Sequence, residues 1–132
     1  VEDLIAILRR HGIHPTPQRL AVARVVLNRE SHPSAEEAWA KVRKRCPTIS
    51  RATVYNTLNL FVKKGLMRQQ VLKEGLALFD AEVRPHHHFI DEQTGKVYDV
   101  PWEALRVTGA ESLRRFTVRE YQVVLRGRRQ KK

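Results

Sequence analysis

The sequence predicts an α+β protein on three observations. Four short segments of helical periodicity come first, a hairpin pattern follows them, and beyond an Arg84-Pro85 break the periodicity becomes that of strands. Helices followed by a hairpin is the order of a winged helix-turn-helix domain, and the remainder is long enough for a small α/β domain. The expected division is residues 1–82 for the first domain, 83–85 for a hinge, and 86–132 for the second domain with a basic C-terminal tail.

Each element has a local reason. Leu4, Ile5 and Leu8 form an apolar stripe, and His11-Gly12 stops it. Thr16 caps a second helix whose first residue, Pro17, loses no needed N–H; Leu20, Ala23, Val26 and Leu27 make its inner face. Ser34 and Glu37 form a capping box for a helix to about Arg45, with Ala35, Ala38, Trp39 and Val42 inward, ended by Cys46-Pro47. Ser50 caps a fourth helix to about Lys64, stopped by Gly65, with Val54, Leu58, Phe61 and Val62 inward. Met67–Leu72 and Ala77–Asp80 flank Lys73-Glu74-Gly75 as a hairpin. In the second domain, His88–Asp91 and Lys96–Val100 read as strands joined at Thr94-Gly95. Helical turns are expected at Pro101–Arg106 and Ala110–Arg115. A strand is expected over Thr117–Arg126, where Tyr121, Val123 and Leu125 alternate with Gln122, Val124 and Arg126.

The chain of 132 residues is 42% apolar, enough for a core, and carries a formal charge of +11. That excess favours partners of dense negative charge, nucleic acid before membrane. Residues 1–80 carry 14 Lys/Arg against 7 Asp/Glu, residues 81–105 carry 2 against 5, and residues 106–132 carry 9 against 2. The single acidic island holds His86, His87 and His88. Cys46 is the only cysteine, so an intrachain disulfide and a Cys₂ or Cys₄ zinc site are excluded; it reads as a structural bystander. With no long apolar run and a start that is no signal peptide, a cytoplasmic protein without membrane association is expected.

The outer face of the fourth helix points to DNA. Arg51, Tyr55 and Asn59 lie four apart, Thr53 and Asn56 flank them, and no acidic residue occurs between Ser50 and Lys64. Arg, Asn and Thr can hydrogen-bond base edges or phosphates, and Tyr55 offers a ring and a hydroxyl. Such a helix suits the major groove. Lys63, Lys64, Arg68 and, from the wing, Lys73 would then reach phosphates.

The histidine run, with Asp80 before it, Asp99 after it and His32 upstream, has the makings of a divalent-metal site without thiolates. On an extended strand His86 and His88 point to one side and His87 to the other. Such nitrogen and oxygen donors suit Fe²⁺ or Mn²⁺, with Zn²⁺ a competent substitute.

Four motifs in order, Thr16-Pro17-Gln18-Arg19, His32-Pro33-Ser34-Ala35-Glu36-Glu37, Ser50 through Leu58, and Gly95-Lys96-Val97-Tyr98-Asp99, resemble the ferric uptake regulator family over residues 2–127. The resemblance implies a homodimeric repressor of double-stranded DNA, acting at a pseudo-palindromic operator, whose second domain serves dimerisation. It places regulatory ligands on His32, Asp80, His86, His88 and Asp99. DNA contacts fall on Arg51, Thr53, Tyr55, Asn56, Asn59, Arg19 and Lys73. Asp at positions 80 and 99 resembles the peroxide-sensing branch, in which a ligand histidine, here His32 or His86, is oxidised. Many members have Cys-x-x-Cys where this chain has Asp91 and Thr94, so the structural zinc is expected to be missing. Three consecutive histidines without those cysteines are similar to the iron-response regulators, which leaves iron or haem status as the alternative signal and His87 as a candidate second metal or haem contact. A metal-dependent hydrolase is the reading from another class; it leaves the polar face of the fourth helix unexplained, so no enzymatic activity is expected.

Overall fold

The computed structural model describes residues 3–28, 30–73 and 75–130, without the side chain of Lys73. The chain divides into two compact units, Val1–Val83 and Arg84–Lys132.

The first unit contains α1 (Leu4–Arg10), α2 (Pro17–Val26), α3 (Ala35–Val42), α4 (Arg51–Lys63) and a hairpin of β1 (Arg68–Lys73) and β2 (Leu76–Asp80). All three expected caps are made. Thr16 Oγ1 accepts from Arg19 N–H at 3.2 Å, Ser34 Oγ from Glu37 N–H at 3.1 Å, and Ser50 Oγ from Thr53 N–H at 3.0 Å. The capping box closes, with Glu37 Oε1 accepting from Ser34 N–H at 2.9 Å. At the end of α4, Gly65 takes φ +81°, and Gly65 and Leu66 return their N–H groups to Val62 and Phe61. This αL stop suits glycine because a Cβ there is strained.

Amphipathicity builds the core. Leu8 of α1, Val22 and Val26 of α2, Ala38 and Val42 of α3, and Val54, Leu58 and Phe61 of α4 are wholly buried, with Met67 and Phe79 beneath the hairpin. Helix α3 ends at Val42, short of Arg45. Residues 43–45 form turns whose N–H groups bond to the Trp39, Lys41 and Val42 carbonyls. β1 and β2 pair antiparallel, with an irregularity between Val71 and Lys73. One long-range backbone contact matters later: Phe79 N–H donates to Pro33 O at 2.8 Å, and Ser34 bridges Leu78. The segment before α3 is therefore stitched to β2.

The second unit is a three-stranded sheet in the order β4 (Val97–Val100), β3 (His87–Asp91), β5 (Val124–Gly127). β3 pairs antiparallel with β4 and parallel with β5. Its helical part consists of two 3-10 turns, Trp102–Ala104 and Ala110–Ser112. The expected strand over Thr117–Arg126 shrinks to Val124–Gly127. The ladder stops for a local reason: Val123 N–H, the next donor, is taken by the His87 ring at 2.9 Å, and Pro85 upstream of β3 has no N–H to offer. Residues 111–122 are exposed.

The turn at 91–95 is closed by hydrogen bonds. Gly95 N–H donates to Asp91 O at 2.7 Å, Gln93 N–H to Asp91 Oδ1 at 2.9 Å, and Lys96 N–H to Thr94 Oγ1 at 3.2 Å. Asp91 and Thr94 thus brace this turn through their own side chains. No helix among the described residues is long and apolar enough to cross a membrane.

Candidate metal centre and nucleic-acid face

In the first unit, His32 and Asp80 are brought together by the stitch between Pro33 and Phe79. Their side chains are almost fully buried, and His32 Nε2 lies 3.6 Å from Asp80 Oδ2. The other carboxylate oxygen is held by Glu82 N–H at 2.9 Å, so Oδ2 is the one presented to the imidazole.

In the second unit, His86, His88 and Asp99 converge. Asp99 sits opposite His88 in the β3–β4 register. His86 Nε2 and His88 Nε2 approach the same oxygen, Asp99 Oδ1, at 3.4 and 3.6 Å. Each ring is oriented through its far nitrogen. His86 Nδ1–H donates to Arg84 O at 2.7 Å, and His88 Nδ1–H donates to Gln122 Oε1 at 2.8 Å. These acceptors assign the proton to Nδ1 and leave the Nε2 lone pairs facing the carboxylate.

Lone pairs directed at a carboxylate are relieved by positive charge between them, supplied by a proton on the ring or by a metal ion. Two ligands each about 2.1 Å from an ion, at angles between a right angle and a tetrahedral one, lie about 3.0–3.4 Å apart. Of the observed separations, 3.4 Å is at the top of that spacing and 3.6 Å lies just beyond it, and both exceed the ordinary hydrogen-bond range of about 2.7–3.2 Å. Imidazole and carboxylate donors fit Fe²⁺, Mn²⁺ or Zn²⁺. The residues present therefore fit the metal expected from the sequence.

His87 faces the opposite side of β3, as the alternation requires. It is completely buried, stacked on Trp102 at 4.6 Å between ring centres, with Tyr121 at 6.4 Å. Its Nδ1 accepts from Val123 N–H, which places the proton on Nε2, a buried atom without a hydrogen-bond partner. Among the described residues, His87 belongs to no cluster of three or more potential metal ligands.

The nucleic-acid face lies on the first unit. Arg51, Tyr55, Asn56 and Asn59 are exposed along α4. Thr53 and Asn56 share an open cleft of about 300 Å³ with Thr16, Gln18 and Arg19 from the start of α2. Arg19 is braced there by a hydrogen bond from Nη1 to His14 O at 3.0 Å. Thr53 Oγ1 accepts from the Ser50 hydroxyl at 2.8 Å. The Lys73 side chain lies outside the described residues.

Three residues at these sites escaped the sequence reading. Gln122, far along the chain, orients His88. Glu36 takes both Arg51 and Tyr55: Arg51 Nη2 lies 3.0 Å from Oε2, and the Tyr55 hydroxyl donates to Oε1 at 2.9 Å. That hydrogen bond, with burial and the Glu36 charge acting in the same sense and Arg51 opposing, raises the Tyr55 pKa above 10.0 and keeps the phenol protonated. Trp39 carries the Arg51 guanidinium 4.4 Å from its ring centre and that of Arg43 at 4.2 Å. Glu36 had a signal, since it stands alone as the acid facing a cationic helix, but its fifteen-residue separation from Arg51 hides the pairing.

The model of the ferric uptake regulator family matches residues 10–126. The peroxide-responsive repressor of Staphylococcus epidermidis is 35% identical over 105 residues, covering 80% of this chain and 70% of that one. Among solved structures, the Campylobacter jejuni peroxide stress regulator superposes with a TM-score of 0.66 at 28% identity, covering 99% of each chain. A zinc-bound manganese uptake regulator gives 0.73 at 26% identity, covering 98% of this chain and 100% of that one. The chain belongs to the ferric uptake regulator family.

Proposed function

We propose that this protein is a metal-dependent transcriptional repressor that senses peroxide through a regulatory Fe²⁺ or Mn²⁺ site. The observation that carries the reading is the aim of His86 and His88: both rings are tied back through Nδ1, and both Nε2 atoms face Asp99. His32 and Asp80 make a second, smaller donor pair. Neither donor group alone fills the coordination of such an ion, and the family resemblance assigns all five residues to its regulation. In the metal-bound form α4 enters the major groove, Arg19 and the wing residue Lys73 contact the backbone, and a homodimer reads a pseudo-palindromic operator in the cytoplasm. The protein acts by binding and not by turnover.

Aspartate at 80 and 99 and the names of the relatives support peroxide as the signal. A ferrous ion held by these side chains would activate hydrogen peroxide, so that one peroxide oxygen is added to a ligand histidine and the other leaves as water. The ligands' part is to hold that histidine against the reacting centre, with His32 and His86 as the residues to be modified.

Anaerobic loading with Fe²⁺, addition of hydrogen peroxide and peptide mass spectrometry test the proposal. A gain of a single oxygen atom on His32 or His86, accompanied by loss of DNA binding and missing from the Mn²⁺ form, is expected. Unmodified histidines in the iron form would refute peroxide sensing. The burial of His87 against the Trp102 ring supports a packing role for it over a haem contact. A shift in the spectrum of ferric haem that disappears in His87→Ala would restore the haem reading.

A further inference from the structure

The start of the reading helix carries a constellation that stability does not explain. Arg51 is the first residue of α4, and its guanidinium is gripped twice. Glu36 from the first turn of α3 binds Nη2, and the Trp39 ring lies beneath the group. The ring is itself fixed, its indole N–H donating to Ile49 O at 3.3 Å. The Arg51 and Glu36 side chains are 56% and 55% exposed, and an ion pair that open contributes little to folding. Arg43 places a second guanidinium on the same indole, 4.2 Å from its ring centre. The shared carboxylate also fixes the Tyr55 hydroxyl. What this arrangement achieves is a side chain of many rotamers held in one orientation on the exposed face of α4.

A gripped arginine at this place could meet a phosphate or a base edge, and Glu36 decides between them. A phosphate oxygen brought to this guanidinium would sit close to the carboxylate, like charge against like charge. The O6 and N7 acceptors of guanine are neutral, so the carboxylate is tolerated beside them. It also holds the fork in plane for a bidentate contact. Glu36 uses one Nη2 hydrogen and leaves the others for such an acceptor pair. Residues near the N-terminus of a recognition helix are those that reach base edges.

We propose that Arg51 reads a guanine in each half-site, with Glu36 and Trp39 as the positioning residues that hold its guanidinium for that contact. The inference rests on the DNA-binding reading above and adds to it a base and the device that selects it.

The test uses the full chain loaded with Mn²⁺ and selection from a random duplex library. It is followed by affinity measurements on the enriched sequence and on versions with each base replaced. Wild type is expected to enrich a guanine at one fixed position per half-site, its replacement costing on the order of tenfold or more in affinity. Arg51→Ala and Arg51→Lys are both expected to become indifferent to the base there while still enriching the rest of the motif. Lysine keeps the charge and lacks the fork, so its failure separates base reading from phosphate attraction. Glu36→Gln is expected to bind random DNA as tightly as wild type or more so, because a negative charge is removed near the backbone, yet to discriminate less at that position.

Three results would overturn the inference alone: a motif without guanine, a guanine preference that survives in Arg51→Lys, or a Glu36→Gln protein that gains affinity for all sequences with its guanine preference intact. Failure of the wild type to enrich any sequence would overturn the DNA-binding reading and the inference with it.

Discussion

Replacing Gln122 by alanine should weaken metal binding without disturbing the fold. Gln122 is exposed and lies ahead of β5, outside any strand, so it contributes to no ladder and no apolar core. Its side-chain oxygen accepts from the Nδ1–H of His88, a side chain with 0% exposure. Removing the acceptor frees the ring to turn and lets the proton sit on either nitrogen, including the one that must ligate. Loss of such an outer partner typically costs about 10–100-fold in metal affinity. Because Gln122 is exposed, water can replace part of its role, so the low end applies: about tenfold, or about 1.4 kcal/mol. The cost to folding from this partly solvated hydrogen bond is about 1 kcal/mol. Competition titration with Mn²⁺ measures the first quantity and urea denaturation of the metal-free protein the second. Gln122→Glu keeps an acceptor and adds charge, and should recover or exceed wild-type affinity. Unchanged Mn²⁺ affinity in Gln122→Ala would refute the reasoning. So would a large fall in stability that accounts for the lost affinity through unfolding alone.

Other consequences follow from the same contacts. His87→Phe keeps a ring against Trp102 but strands Val123 N–H, and should lower the stability of the metal-free protein by about 1–3 kcal/mol in urea denaturation; an unchanged midpoint would show that the bond to Val123 contributes nothing. Ser34→Ala removes the cap of α3, worth about 1 kcal/mol, and loosens the stitch that carries His32 to Asp80. Thermal melting and Mn²⁺ titration should therefore both register the change, and a protein altered in neither would contradict the link. Asp91→Ala opens the Asx turn before β4 and should cost about 1 kcal/mol, read by denaturation in the presence and absence of a zinc chelator. The chelator should make no difference in a background of His88→Ala, which disables the regulatory donors, and chelator-sensitive melting there would mean that a structural zinc is present after all.

The first unit was legible because its signals are local. Thr16, Ser34 and Ser50 each stand three residues before the N–H they cap, and the apolar stripes that predict α1 to α4 are the stripes that are buried. β5 was not legible in the same way. The alternation of Tyr121, Val123 and Leu125 describes residues able to form a strand. A strand exists only where a neighbour supplies the complementary groups: Val123 O still accepts from His88 N–H, but Val123 N–H meets a histidine ring, and further back the neighbour is a proline. Pairing register is a property of two segments, and periodicity within one of them cannot report it.

The two candidate sites divide along the same line. Their charged and ligating residues could be named from type and spacing, because few residues can bind a cation or a base edge. Their orienting partners could not, since orientation can be supplied by almost any polar group the fold brings near. His88 is aimed by Gln122, His86 by the carbonyl of Arg84, and Arg51 by Glu36 and Trp39. None of these need be of a particular type to be present, yet each decides which face or which nitrogen is available for binding. Relatives that keep all five metal-ligand types can therefore differ in metal affinity through position 122, and relatives that keep Tyr55 and Asn56 can differ in operator through positions 36, 39 and 51. The chemistry open to such a site is set by its ligands, while its strength and selectivity are set by residues whose contribution becomes visible only once the chain is folded.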